Sequence, residues 1–300
     1  MSGRSATTRR VIGEQRPFPR RPPRPAAKSS PRLLTPRRSN LRWVPLKNGD
    51  RVADYTIVGW LGAGPLGDVY RATHPTSPHE LALKIPFTTT SQDRAFGMRF
   101  QREGSVALRI THPNLVRLHD IGEFDDKVWA ARDYVDGTSV AELIAQRYPQ
   151  GMPEREVCAI VNAVADPLDH LHRSGCLHRG VKPTNILATS QRRILLSDFG
   201  TGSQLGTDGP TLAALPYLAP ELATGADGPL ADQYALAANA FYLLTGAPPP
   251  PLATRPARLS DHRAELSHLD RLFAKALSPQ PESRFRSCGE LAAELTALAN

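Results

Sequence analysis

The sequence predicts an α+β chain of two lobes, a small β-rich lobe over about residues 50–135 and a larger, mainly helical lobe over about 136–298, preceded by a basic arm at 1–46. Three observations predict it. Short runs rich in β-branched and aromatic residues come first: YTIVGWL (55–61), DVYRAT (68–73), ELALKI (80–85), LVRLHDI (115–121) and VWAARDYV (128–135). A helical stretch around 93–110 separates the third run from the fourth. After residue 138 apolar residues recur every three or four positions, over 155–172, 230–244, 268–277 and 288–298, the spacing of helices with one buried face. A strand-rich half followed by a helix-rich half calls for two packed units with a cleft between them. No internal repeat disturbs this division.

The first 46 residues follow other rules. They hold twelve Arg or Lys against Glu14 alone, a charge of +11, so that the rest of a chain of net charge +8 carries 8 − 11 = −3. With eight prolines, RRPPRP at 20–25 and almost no apolar period, the segment cannot bury enough surface to offset the entropy of ordering it, and it reads as a disordered tail. Its arginines offer a route to nucleic acid, anionic lipid or an acidic partner, and RRPPRP suits an SH3-like groove. Residues 47–300 carry no basic excess of that kind.

Cys158, Cys176 and Cys288 fall in no CxxC pair and in no zinc-ligand spacing, which fits a reduced, cytoplasmic setting. No run of about 18 apolar residues exists to span a bilayer, and the N-terminus lacks the apolar core of a secretory signal. The expectation is a soluble protein.

The motifs that carry chemistry follow this frame in order. At 61–70 the turn LGAGPLGDVY places Gly62, Gly64 and Gly67 before Val69; glycine suits a backbone that approaches phosphate oxygens and takes angles closed to residues with a Cβ. LALK ends at Lys84, FQRE ends at Glu103 inside the helical stretch, LHRGVKPTNIL runs over 177–187, SDFG over 197–200 and APE over 219–221. Asp232 in ADQYALA and Arg284 in PESRF complete the series. Singly, a glycine triplet is an ordinary hairpin, a strand lysine an ordinary edge residue and Asp-Phe-Gly an ordinary turn. Jointly and in this order they are not.

In this order the motifs make the chain, over roughly 50–298, resemble the bacterial serine/threonine protein kinases. The resemblance implies a two-lobed protein-kinase-like fold with ATP and Mg²⁺ in the cleft. It implies that Gly62, Gly64, Gly67 and Val69 cover the nucleotide and that Lys84 holds its α- and β-phosphates and pairs with Glu103. It places Ala82, Arg132, Asp133 and Val135 around the adenine, and assigns the metal to Asn185 and Asp198. It also implies that Asp232 braces the catalytic loop and that Arg284 pairs with Glu221.

The pattern then breaks. In active relatives the loop reads H-R-D-x-K-x-x-N; here His178 and Arg179 are followed by Gly180, with Lys182 and Asn185 still in register. Glycine has no side chain to orient a substrate hydroxyl or accept its proton, and loss of a positioned acid–base group costs about 10² to 10⁴ in rate. Ala213 and Ala214 stand where the family has Gly-Thr, the threonine that bonds the missing aspartate, so both ends of one hydrogen bond are absent. Pro65 removes a backbone N–H from the glycine-rich turn. Arg132 occupies the gatekeeper position, and a guanidinium there should seek a carboxylate; Glu103 is the candidate, at the expense of Lys84. Thr201, Ser203, Thr207 and Thr211 are the only serine or threonine hydroxyls between Gly200 and Ala219. Phosphate on Thr207 or Thr211 would find Arg179, but an unphosphorylated segment is expected.

These features predict a pseudokinase: a kinase-like protein that binds Mg·ATP, is impaired in phosphotransfer and regulates or scaffolds a protein partner. Two alternatives stay open. One is a weakly active serine/threonine kinase working through Lys84, Lys182, Asn185 and Asp198, because phosphoryl transfer depends largely on positioning and charge. The other makes the basic arm the functional part.

Overall fold

The structure is a computed structural model that describes residues 45–64, 67–87, 94–125, 127–200, 215–250 and 257–299, with backbone alone at Ala95. The small lobe is a six-stranded antiparallel sheet of β1 (Arg51–Val52), β2 (Tyr55–Ala63), β3 (Gly67–Thr73), β4 (Leu81–Pro86), β5 (Leu118–Phe124) and β6 (Lys127–Asp133), in the order β1-β2-β3-β4-β6-β5. Alternation along β4 sets its two faces. Leu81, Leu83 and Ile85 are buried with Ile57, Tyr70, Trp129 and Ala131, whereas Ala82 and Lys84 look the other way, toward the second lobe. Helix α1 (Arg94–Ala107) presents Phe96 and Phe100, four residues apart, to the larger core together with Leu118, Val128 and Ala130. Leu46 packs against the small-lobe cluster, and its N–H donates to the Tyr70 hydroxyl at 3.2 Å. The chain is therefore in contact with the lobe one residue before the boundary expected at 47.

The larger lobe is mostly helical. Helix α2 (Val140–Arg147) starts at a capping box in which Ser139 and Glu142 each satisfy the other's backbone N–H. Helix α3 (Glu154–Arg173) buries Val157, Val161, Val164, Leu168 and Leu171 along one stripe, with Glu154 and Glu156 in its first turn and His170, His172 and Arg173 in its last, each matching the helix dipole. Helix α4 (Pro229–Thr245) is buried on nearly every side and forms the centre of the lobe. Pro229 opens it, and Gly246 at φ 74° closes it. Helices α5 (Asp270–Ala276) and α6 (Cys288–Leu298) pack around it.

Besides the two-residue edge strand β1, three short strands were not expected: β7 (Gly137–Ser139), β8 (Ile186–Thr189) and β9 (Ile194–Leu196), which form a second sheet beside the cleft. At three or four residues they are too short to show a period. The strand expected at 115–121 begins instead at Leu118, because Leu115 and Val116 cross to the other lobe: Leu115 bridges Leu196, and the Val116 N–H donates to the Leu196 carbonyl at 2.9 Å. The helix expected over 93–110 ends at Ala107, and the one expected over 268–277 begins as a 3-10 turn at Ala264–Leu269.

Candidate active site

A cleft of about 350 Å³ lies between Leu61, Gly62, Gly64, Val69 and Lys84 of the small lobe and His178, Gly180, Lys182, Asn185, Leu187 and Asp198 of the large one. It runs into a recess of about 220 Å³ bordered by Ala82, Val116, Arg132, Asp133, Tyr134 and Val135. An apolar slot opening onto a cationic mouth matches a planar base followed by phosphates. The three glycines of the turn differ in what they do. A Cβ on Gly67 would lie 2.2 Å from the Ile85 carbonyl oxygen, so Gly67 is there for the close approach of β3 and β4. Gly62 has nothing within 4 Å of that position and Gly64 only the Gly67 oxygen at 3.4 Å, which leaves these two free for close approach by a ligand. Pro65 lies outside the described residues.

The catalytic loop hangs from α4. Buried Asp232 accepts hydrogen bonds from the His178 N–H at 2.8 Å, the Arg179 N–H at 2.7 Å and His172 Nε2 at 2.9 Å. These bonds hold Arg179 at φ 57°, a left-handed angle that a bulky residue adopts only under constraint. His178 is buried and works as a neutral ring. Its Nε2 reaches the Ser197 carbonyl at 3.0 Å, and its Nδ1 accepts from the Gly180 N–H at 3.2 Å, which fixes the Nε2–H tautomer. Burial pushes its pKa below the ordinary value, against the opposing charges of Asp232 and Asp198. The Gly180 carbonyl in turn accepts from the Asn185 side chain at 2.8 Å. Gly180 is thus held at both ends, and its φ lies outside the left-handed region that favours glycine.

The charges pair differently from what the sequence led us to expect. Lys84 Nζ binds Asp198 Oδ2 at 2.8 Å, and Glu103 binds Arg179. The Lys84–Glu103 pair is not formed, and Arg132 does not take Glu103 either. Buried Arg132 donates through Nη2 to the Phe199 carbonyl at 3.0 Å and places Nη1 3.7 Å from Asp198 Oδ1. The reason is competition: Arg179 is held within reach of both Glu103 and Asp227 and takes both carboxylates. That also leaves Arg179 already neutralised, removing the vacant arginine that a phosphorylated Thr207 or Thr211 would need. Those two threonines, with Thr201, Ser203, Ala213 and Ala214, lie outside the described residues.

Burial alone would raise the pKa of Asp198, but Lys84, then Arg132 and then Lys182 outweigh it and hold this carboxyl well below the usual carboxylate range. Lys182 is pushed down by burial first and by the Lys84 charge second, with Asp198 opposing. The residues present fit a nucleoside triphosphate: glycine backbone free to approach, two lysines at the mouth and an apolar slot behind. They fit a divalent cation less well. Asn185 faces the cleft, yet Asp198, the second expected ligand, turns both of its oxygens to protein cations.

Most expected site residues converge here. Gly62, Gly64, Val69, Lys84, His178, Gly180, Lys182, Asn185 and Asp198 line the cleft, and Ala82, Arg132, Asp133 and Val135 line its recess. Gly67, Glu103 and Arg179 line neither. The sequence reading missed Leu61, Val116 and Leu187 as walls of the slot and Asp227 as the second partner of Arg179. Leu61 and Leu187 were readable as apolar neighbours of motifs; nothing in the sequence pointed to Asp227.

A small antiparallel sheet over a helical lobe, with a lysine strand, a loop braced by a buried aspartate and an Asp-Phe-Gly turn meeting in the cleft between them, defines the architecture of a protein kinase. The chain belongs to that family: residues 55–299 match the protein kinase domain. It is 43% identical over 275 residues to the serine/threonine-protein kinase PknF of Mycobacterium tuberculosis, covering 84% of this chain and 58% of the relative. To PknI of the same organism it is 44% identical over 256 residues, covering 82% of this chain and 42% of the relative. The chain thus spans about half the length of these curated relatives. The crystal structure of the PknI kinase domain superposes with a TM-score of 0.76 at 44% identity, covering 85% of this chain and all of that domain. The expected two-lobed kinase fold is what is observed. The ion pair between Arg284 and Glu221, with bonds of 2.7 and 2.8 Å, belongs to the same framework.

Proposed function

We propose that this chain is a serine/threonine-kinase-like protein that binds ATP in its cleft, transfers the γ-phosphate poorly, and acts on a protein partner through its conformation. The observation that carries the reading is Gly180, seated between His178 and Asn185 at the position where the family has the carboxylate that orients the accepting hydroxyl. The remaining residues can still bind and orient. Gly62 and Gly64 leave the loop backbone open to phosphate, Lys84 and Lys182 bring positive charge to it, and Leu61, Val69, Ala82 and Leu187 exclude water from the base. No side chain at position 180 takes up the acceptor's proton, so that proton must leave unaided.

A second reading, a weak but real serine/threonine kinase, is favoured by the convergence of Lys84, Lys182, Asn185 and Asp198 on one cleft. One experiment separates the two from each other and from a role carried by the arm. Saturating ATP should stabilise the protein by about 2.7 kcal/mol at a hundred times its dissociation constant. Lys84→Ala should abolish that shift, and phosphotransfer to a generic basic substrate should stay at background. An unchanged melting temperature at millimolar ATP would overturn the nucleotide-binding reading. Loss of partner, nucleic-acid or anionic-lipid binding on truncating 1–46 would move the function to the arm.

A further inference from the structure

We propose that the nucleotide enters this cleft without a divalent cation, because the Arg132 guanidinium holds the place at Asp198 that a metal would take. The inference rests on the nucleotide-binding reading above and goes beyond it by specifying the form of the ligand.

Arg132 lies on β6 opposite Ala82 of β4 and Leu118 of β5, so it is built into the sheet between two neighbouring strands. Its side chain is only 4% exposed and cannot swing into solvent without leaving the recess wall. The Phe199 carbonyl fixes one end of its fork at 3.0 Å, directing the other toward Asp198 Oδ1 at 3.7 Å. Lys84, on the same face of the sheet, holds Oδ2 at 2.8 Å. A metal needs at least one of these oxygens.

The two cations are not equally displaceable. A lysine ammonium on a flexible stem can turn to phosphate when nucleotide arrives, freeing Oδ2. The guanidinium stays: it is buried, bonded to backbone and does not lose its proton at any ordinary pH. A divalent ion at Asp198 would then sit beside a fixed positive charge well inside a Debye length, where salt screens the repulsion little. Glu103, the carboxylate expected to offset that charge, is committed to Arg179. Lys84 and Lys182 of the cleft and Arg132 of its recess therefore face, among the described lining residues, only Asp198 and Asp133, and the Asp133 carboxylate is turned to His119. The excess is positive, and metal-free ATP, more negative than its magnesium complex by the full charge of the ion, neutralises it better.

The test is calorimetric titration of ATP into the full chain, once with EDTA and once with excess Mg²⁺, on wild type, Arg132→Met and Arg132→Lys. Wild type should bind at least as tightly in EDTA as in Mg²⁺. Arg132→Met should reverse the preference, binding about tenfold more tightly with the metal, while Arg132→Lys keeps the wild-type pattern. Binding by wild type that needs Mg²⁺ would overturn the inference while leaving the nucleotide-binding reading intact. So would an Arg132→Met protein as indifferent to metal as wild type. Should wild type bind ATP under neither condition, the underlying reading falls and the inference with it. The wild-type pair decides the matter even if the variants fold poorly.

Discussion

Asp232 and Asp198 are both carboxylates of the large lobe, set on either side of the catalytic loop, and they are satisfied in different ways. Asp232 is buried on α4 and meets the backbone N–H groups of His178 and Arg179 together with His172 Nε2, donors fixed in direction by helix and loop. Asp198 faces the cleft and meets charge, with Lys84 and Arg132 on its two oxygens and Lys182 beyond. Residues around the first carboxylate match the family pattern; of the departures, the two among the described residues, Gly180 and Arg132, line the cleft and its recess with the second. Support and chemistry are thus carried by separable sets of residues, and a chain can change its chemistry while its loop keeps the same backbone.

If that separation is real, the largest stability losses should come from the support. Arg284, whose side chain is fully buried, binds Glu221 through both carboxylate oxygens and also bonds the carbonyls of Leu230 at 2.9 Å and Ser278 at 2.8 Å. Arg284→Ala should cost about 3–5 kcal/mol in urea unfolding, because it leaves Glu221 largely buried and unpaired. A loss below about 1 kcal/mol would show that this pair is not part of the framework.

A smaller effect is expected from His178, and it depends on pH. Because burial lowers its pKa in the folded state, the unfolded chain binds a proton at a higher pH than the native one does. Its contribution is therefore fully present above the unfolded value of about 6.5 and is lost as pH falls from there toward the folded value, at up to about 1.4 kcal/mol per pH unit. Replacing His178 with Gln removes the titration. Unfolding midpoints compared between pH 7.5 and 5.5 should fall more steeply for wild type than for His178→Gln, and parallel lines would contradict the neutral, Nδ1-accepting ring.

The smallest effect should come from the cleft. Arg132→Met removes a buried charge without stranding a carboxylate, since Asp198 keeps Lys84, and the change in stability should lie within about 1 kcal/mol of zero or be favourable. A cost comparable to that of Arg284→Ala would erase the distinction between the two regions.

Much of this was readable in the sequence. The strand lobe and the helical lobe followed from periodicity, because strands of six or more residues and long amphipathic helices carry their period in plain view, and the charged and glycine residues of the cleft followed from the resemblance that the motif order carries, whereas much of its apolar wall did not. The short strands β7 to β9 carry none. Ion-pair partners were less legible. The sequence pointed to Glu103 as the partner of Lys84 or Arg132, and it is Arg179 that takes it, since a loop backbone held at φ 57° by Asp232 aims that arginine at α1. Pairing of long side chains is decided by where the backbone delivers them, and a motif records identity and order but not direction.

The central claim is that Gly180 leaves a binding-competent cleft without phosphotransfer chemistry. It is tested most directly by measuring γ-phosphate transfer at ATP concentrations shown to saturate binding, with Mg²⁺ present. Wild type should transfer at background. In an Arg132→Met background, which lets the metal reach Asp198, Gly180→Asp should raise the rate toward the lower end of the roughly 10² to 10⁴ that a positioned acid–base group contributes, since Gly180 holds no positive φ that a side chain would strain. Adding Ala214→Thr should raise it further than it does in wild type, the two groups acting as one unit. Robust transfer by wild type, abolished by Lys84→Ala, would contradict the account.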